Sequence, residues 1–194
     1  MRFWKAVGIA STMLAAAGPA HAHTFGASGA GFAAGLAHPF LGLDHLLAML
    51  AVGLWAAQQQ GRMRLAVPAT FVAAMALGAL AAVGGLGAYG IESGIAASVL
   101  VLGLLVAARA RLPVPVGLAL VAAFAVFHGH AHGAELPQAA SVARYGLGVV
   151  LATVALHGSG WLLGDRLRER LGEAWLRAGG GMIAATGTWA WLAG

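Results

Sequence analysis

The segment HPFLGLDHLLAM (38–49) carries polar side chains that could bind a cation or move a proton within an otherwise apolar stretch. His38 and His45 are seven residues apart, so on one continuous helix they lie two turns apart on one face, with Asp44 beside them. Ionisable side chains are costly inside a bilayer, and this pattern therefore favours metal or proton chemistry. The alternative is structural: His38 caps the helix, and Asp44 and His45 pair with neighbouring backbone groups.

A second segment, FHGHAHGAE (127–135), has histidines at the spacing of metal ligands. His128 and His132 are one helical turn apart and Glu135 follows three residues later, so these three side chains share one helical face. His130 points away from that face. Two imidazoles and a carboxylate one turn apart can bind one divalent transition-metal ion. The alternative is a solvated, histidine-rich helix end that binds metal only incidentally.

The composition of the whole chain indicates a membrane protein. Of its 194 residues, 60% are hydrophobic and 9% are charged, and the mean hydropathy is +0.84. Soluble domains carry about 25% charged residues, which argues against a soluble enzyme, and a chain this apolar cannot remain disordered in water. The net charge of +5 comes from Lys and Arg clusters between apolar runs, which are typical of topology signals and not of nucleic-acid binding. The absence of cysteine excludes disulfides and thiolate ligands.

Residues 1–22 have the pattern of a secretory signal peptide. A basic start is followed by a short apolar stretch and by Ala20-His21-Ala22, an A-x-A cleavage site. Cleavage after Ala22 leaves His23 as the first mature residue and residues 23–194 as a single transmembrane domain. The alternative is an uncleaved membrane anchor. With a signal peptide or an anchor, the segment that follows emerges outside the cytoplasm.

The rest of the chain predicts an all-α, polytopic membrane helix bundle with six transmembrane helices. Apolar runs long enough to cross a core of about 30 Å lie near residues 39–57, 65–84, 91–109, 113–133, 142–163 and 174–192. Loops one, three and five carry eight arginines, at positions 62, 64, 109, 111, 166, 168, 170 and 177, whereas loops two and four carry only Arg144. The positive-inside rule therefore predicts a protein of the cytoplasmic membrane with both mature termini outside.

This topology brings the two histidine motifs to one depth. The first span runs inward, so His45 lies ~9 Å below its outer end, and the fourth runs outward, so His128 lies ~24 Å above its inner end. Both motifs are expected in the extracytoplasmic third of the membrane. His157 lies ~21 Å below the outer end of the fifth span; a later step on an ion path and a hydrogen bond to a carbonyl remain equal alternatives for it.

The start of the first span is predicted at Pro39. Proline suits the first helical position, and its ring pushes His38 out of helical geometry. A break is therefore expected at His38, between the glycine-rich stretch 26–37 and the helix. The methionines at positions 49, 63 and 75 are interpreted as packing residues.

The two motifs resemble those of the HupE/UreJ family of nickel/cobalt permeases. That family is known for an HPxxGxDHxxxM motif, which 38–49 matches without departure, and for an FHGxAHGxE-type motif, which 127–135 matches. The resemblance extends over essentially the whole chain, because the family also has a cleavable signal and about six spans. It implies nickel uptake for metalloenzymes such as hydrogenase or urease. It also implies transport roles for His38, Asp44, His45, His128, His132 and Glu135.

The resulting hypothesis is a secondary permease or facilitator for Ni²⁺, with Co²⁺ as a second candidate substrate, that is not an enzyme and has no resident cofactor. The ion is captured from outside by His23, His38, Asp44 and His45, and the site is completed by His128, His132 and Glu135. The alternative from another class is a membrane cytochrome with His45 and His128 as axial haem ligands. The carboxylates beside these histidines argue against haem. Metal selectivity, energy coupling and assembly into a homo-oligomer remain open.

Overall fold

The protein is a bundle of α-helices in a computed structural model that describes residues 31–137 and 140–193. Seven helices are present in these ranges, and the connections between them are short. The helices are α1 (Phe32–Leu41), α2 (Leu43–Gln58), α3 (Met63–Val83), α4 (Ile91–Ala108), α5 (Val114–Ala134), α6 (Val142–Arg170) and α7 (Glu173–Ala193). The signal-peptide prediction for residues 1–22 and the candidate ligand His23 lie outside the described residues.

The chain is a multi-pass membrane protein. Helices α3, α4, α5 and α6 are each long and apolar enough to cross a bilayer, and α1 and α2 together make a fifth span if the bent pair counts as one. Helix formation follows from this composition, because backbone groups in lipid must pair within their own segment. α7 matches the predicted segment 174–192 in position, but it is richer in glycine and threonine and is not among these spans. The count of six spans thus remains a prediction.

The break in the first span lies at Gly42, and the prediction of a helix starting at Pro39 is wrong. His38 and Pro39 both belong to α1, and the chain turns by 85° between α1 and α2. Pro39 has no backbone N–H and leaves the last turn of α1 without one of its hydrogen bonds, and α1 ends two residues later. Gly42 adopts an extended conformation, with φ −95° and ψ 120°, and a Cβ on it would lie 2.8 Å from Oδ1 of Asp44.

α2 is the central helix of the bundle. Residues 51–59 are buried without interruption, and α2 contacts α1, α3, α4, α6 and α7. Trp55 is fully buried near the C-terminal end of α2 and donates from Nε1 to the carbonyl of Ala110, 2.9 Å away. The N-terminus of α2, where Asp44 and His45 lie, is therefore held by the most buried element of the fold.

Glycines allow the helix backbones to approach closely, as the sequence predicts for packing in lipid. Gly53 of α2 lies against the backbone of α6 at His157, and Gly160 of α6 lies against the backbone of α2. Gly129 similarly brings α5 against the carbonyl of Met75 in α3. Gly35, Gly133 and Gly180 make similar contacts with a neighbouring backbone, whereas Gly31, Gly179 and Gly181 face open space.

Replacement of Gly129 by alanine is expected to destabilise the protein. The added Cβ would overlap the backbone carbonyl of Met75, and overpacking of this kind costs about 1–3 kcal/mol, more than the gain of about 1 kcal/mol in helix propensity. Gly179→Ala is the matched control, because its Cβ meets no atom within 4 Å. Thermal unfolding in detergent should show a lower midpoint for Gly129→Ala and an unchanged or higher one for Gly179→Ala. Equal midpoints for Gly129→Ala and the wild type would contradict the close approach.

The two ends of the bundle differ in chemistry. At one, hereafter the arginine end, Asp165 accepts hydrogen bonds from Arg64 at 2.6 Å, from Arg168 at 2.9 Å and from Trp161 at 2.9 Å. This network joins the start of α3 to the end of α6. The opposite end carries the two histidine motifs.

Candidate metal-ion site

Four imidazole rings meet at the end of the bundle opposite the arginine end. They are His38 from α1, His45 from α2, and His128 and His132 from α5; together they are called the histidine cluster. The ring centroids of His45 lie 4.8 Å from those of both His128 and His132, and His38 lies 4.8 Å from His132. All four rings are largely shielded, and His128 is fully buried. The two motifs predicted to share one depth are thus in direct contact.

The 85° bend, and not a shared helical face, brings His38 to His45. On a continuous helix these residues would be about 10.5 Å apart along the axis at 1.5 Å per residue, whereas their ring centroids are 6.1 Å apart. The prediction that both lie on one face of one helix is therefore wrong. His128 and His132 do lie one turn apart on α5, as predicted, and both rings face the cluster.

Asp44 fixes the orientation of the His45 ring. Oδ1 of Asp44 lies 3.0 Å from Nδ1 of His45 and also accepts the backbone N–H of His45 at 2.7 Å. A carboxylate only accepts hydrogen bonds, so Nδ1 carries the proton and the lone pair of the neutral ring is on Nε2. Nε2 is buried and has no hydrogen-bond partner. This is the carboxylate–histidine arrangement that supports metal-binding imidazoles in proteins.

Glu135 likewise fixes the orientation of the His38 ring. Nε2 of His38 lies 3.1 Å from Oε2 of Glu135, just beyond the end of α5. The hydrogen bond from His38 favours the carboxylate form of Glu135 and lowers its pKa below the usual value, although burial acts in the opposite direction. The bond places the proton on Nε2 and leaves the lone pair of the neutral His38 ring on Nδ1.

Ser98 of α4 orients His128 and was not singled out in the sequence. Its hydroxyl donates to the carbonyl of Ile95 at 2.6 Å, so its oxygen accepts the proton on Nε2 of His128 at 2.7 Å. The lone pair of His128 is then on Nδ1, which is buried and has no partner. The sequence feature that could have identified Ser98 is a hydroxyl residue in the middle of an otherwise apolar helix.

The cluster thus offers unpaired nitrogen lone pairs in a buried space. Besides Nε2 of His45 and Nδ1 of His128, both ring nitrogens of His132 are buried without partners. Within residues 31–137 and 140–193, no three His, Asp or Glu side chains already surround a common point at ligand distance. The rings of His45 and His128 meet edge to face, with an interplanar angle of 84°. Side-chain rotation must therefore precede ligation of one ion by several of these rings.

Two aromatic residues border the cluster, and neither was singled out in the sequence. The ring of Tyr145 lies 5.9 Å from that of His38, and its hydroxyl is buried without a partner. The ring of Phe71 lies 5.6 Å from His128 and 5.1 Å from His157. Phe71 therefore separates the cluster from the next histidine along the bundle.

His130 is outside the cluster, as the sequence predicts. Its Nε2 lies 2.8 Å from the carbonyl oxygen of Leu86, in the connection between α3 and α4. His157, in contrast, has no hydrogen-bond partner on either nitrogen. The alternative in which His157 bonds to a carbonyl is therefore wrong.

The fold places this chain in the general class of multi-pass helical membrane proteins, here with histidine–carboxylate pairs at one end of the bundle. The chain matches the HupE / UreJ protein family over residues 11–190. It is also 42% identical over 181 residues to Protein HupE of Rhizobium leguminosarum bv. viciae, a match that covers 92% of this chain and 94% of the relative. The chain belongs to the HupE/UreJ family, which confirms the resemblance seen in the two motifs. No solved structure matches it significantly.

Proposed function

We propose that the protein is a permease for divalent transition-metal ions that takes up Ni²⁺ across the cytoplasmic membrane, with Co²⁺ as a further substrate. The observation that carries this proposal is the convergence of four imidazoles from three helices, with unpaired nitrogens directed into a buried space. Imidazole suits Ni, Zn and Cu ions. The choice of nickel and cobalt among them comes from the family, as does the supply of metalloenzymes such as hydrogenase or urease.

The imidazoles are the proposed ligands, and the carboxylates support them. The lone pairs of His38, His45, His128 and His132 face the ion, whereas Asp44 and Glu135 hold two of these rings and contribute negative charge. Two carboxylates near a divalent cation offset its charge and reduce the cost of bringing it into the membrane. His23, as the first mature residue, is proposed to capture the ion at the outer surface.

The cluster is proposed to face the outside and the arginine end the cytoplasm, since arginine-rich connections remain on the cytoplasmic side. In this orientation both mature termini are extracytoplasmic. A divalent ion that moves inward across an inside-negative potential of 100 mV gains about 4.6 kcal/mol, twice the value for a single charge. Uptake can then proceed as secondary transport.

The geometry favours the permease over the haem alternative. The His45 and His128 rings are in edge contact, with centroids 4.8 Å apart, so a porphyrin does not fit between them in this arrangement. Both rings also have their second nitrogen paired, His45 to Asp44 and His128 to Ser98, which directs the remaining lone pairs into one small space.

The test is accumulation of ⁶³Ni²⁺ by cells that express the protein, compared with empty-vector cells at equal density. We expect expressing cells to accumulate nickel, with excess Co²⁺ competing more strongly than Zn²⁺. Collapse of the membrane potential with an ionophore should reduce the initial rate. Accumulation equal to that of empty-vector cells, with the protein detected in the membrane, would contradict the proposal.

Replacement of Ser98 by alanine is expected to weaken metal binding by about 10–100-fold, the usual effect of losing a group that orients a ligand. Without the hydroxyl, the Nε2 proton of His128 loses its acceptor and the ring is free to rotate. Ser159→Ala is the matched control, because its hydroxyl donates to a carbonyl of its own helix at 2.8 Å and contacts no histidine. Titration of the purified proteins with Ni²⁺ by calorimetry measures both affinities, and equal affinities would refute the role of Ser98.

A further inference from the structure

His157 is a buried histidine that does not belong to the histidine cluster. Its side chain is 4% exposed, and neither ring nitrogen has a hydrogen-bond partner. Nearly all buried polar groups in proteins are paired, so an unpaired one calls for an explanation. An imidazole kept in this state retains a lone pair for a ligand that is not part of the chain.

Two thioether sulfurs approach α6 one helical turn before His157. Thr153, one turn earlier on α6, lies with its hydroxyl 3.4 Å from Sδ of Met49 and 3.6 Å from Sδ of Met75. Both methionines are buried, and their sulfurs approach the face of α6 that carries His157, since residues four apart share a face. Their interpretation as packing residues alone does not account for the polar contact with Thr153.

Helix register connects these groups to the histidine cluster. Met49 follows His45 by one turn on α2, towards the arginine end, whereas Met75 lies one turn nearer the cluster end of α3 than Phe71. The Phe71 ring contacts His128 on one side and His157 on the other. Thr153 and the two sulfurs therefore lie between the cluster and His157, which is one helical turn nearer the arginine end on α6.

We propose that His157, with the sulfurs of Met49 and Met75, forms a second binding site for the transported divalent transition-metal ion. This inference rests on the proposed function. Imidazole and thioether are neutral donors that accept transition metals. α3 contains no acidic residue, and the acids of α6 lie at its arginine end, so this second site lacks the carboxylate support of the histidine cluster.

The difference in charge gives the two sites unequal affinities in the order that inward transport requires. Conduction needs binding that is favourable enough for entry and weak enough for release, and several sites in series achieve this. The cluster, with Asp44 and Glu135, binds the ion tightly. The neutral second site binds it more weakly and passes it on.

A groove on the outer face of the bundle extends from His157 towards the arginine end. It has a volume of about 500 Å³, lies between α3 and α6, and is lined by His157 and Trp161 among other residues. Trp161 in turn donates to Asp165, the acid at the centre of the arginine-end network. His157 is thus two helical turns from Asp165, the first carboxylate towards the arginine end of α6.

The test combines ⁶³Ni²⁺ binding stoichiometry in detergent with initial ⁶³Ni²⁺ uptake in proteoliposomes. We expect the wild type to bind two ions per chain with unequal affinity. His157→Phe should bind one ion, keep the tighter affinity and take up nickel at least tenfold more slowly. The double variant Met49→Leu/Met75→Leu should show the same pattern, because leucine replaces the sulfur at nearly constant volume.

Met63→Leu is the matched control, since Met63 is a buried methionine of α3 that packs near Gly117 at the arginine end; it should behave as the wild type. If the methionine double variant binds two ions and transports normally while the wild type takes up nickel, the second site is refuted and the proposed function remains. Absence of uptake by the wild type itself would instead refute the proposed function.

Discussion

Replacement of His128 by phenylalanine is expected to reduce nickel uptake by more than about 100-fold, the upper limit for loss of a group that merely orients a ligand. His128 is fully buried, and its Nδ1 is among the unpaired nitrogens of the histidine cluster. Phenylalanine preserves the ring and the packing against Phe71 but has no lone pair. The loss is therefore one of ligation and not of volume.

His130→Phe is the matched control for this variant. His130 lies on the same helix two residues away, but its ring bonds to the carbonyl of Leu86. We expect this variant to transport nickel at close to the wild-type rate. Initial rates of ⁶³Ni²⁺ uptake, normalised to protein in the membrane, distinguish the two. Equal loss in both variants would show that any change in this part of α5 is harmful and would remove His128 from the ligands.

Replacement of Asp44 by alanine is expected to reduce uptake by about 10–100-fold. The variant loses the acceptor that keeps the proton of His45 on Nδ1, at 3.0 Å, and a negative charge beside the ion. Without this acceptor the His45 ring can adopt the other tautomer and rotate, so Nε2 is no longer held towards the cluster.

Asp44→Asn separates orientation from charge. The amide oxygen can still accept from Nδ1 of His45, so a loss that persists in this variant measures the contribution of charge alone. Glu169→Ala, which removes an exposed acid near the end of α6, is the control for net charge. ⁶³Ni²⁺ uptake over a range of concentrations gives the apparent affinity of each variant, and wild-type affinity in Asp44→Ala would contradict the role assigned to this carboxylate.

The sequence was sufficient to predict the helical segments and the meeting of the two motifs. Apolar runs of membrane-spanning length largely coincide with α2 to α7, and the alternating directions of these runs place His45 and His128 at one depth. The arginine clusters likewise mark one end of the bundle, where Arg64 and Arg168 share Asp165. These features depend on local composition, which can be read directly from the sequence.

The bend at Gly42 could not be derived in the same way. A spacing of seven residues fits a continuous helix, and Pro39 is as compatible with the end of one helix as with the start of another. The contact between Ser98 and His128 spans 30 residues and depends on which faces of α4 and α5 meet. The environment of His157 is fixed by the same kind of packing between helices distant in the chain.

The histidine cluster lies across a boundary between two groups of helices. His38 and His45 belong to α1 and α2, which pack on α6, whereas His128 and His132 belong to α5, which packs mainly on α3. An ion held by rings from both groups therefore crosslinks them and adds its binding free energy to their association. At a free ion concentration about 100 times the dissociation constant, this linkage amounts to about 2.7 kcal/mol. In the proposed function, the bound metal ion thus acts as a structural element that holds the two groups of helices together.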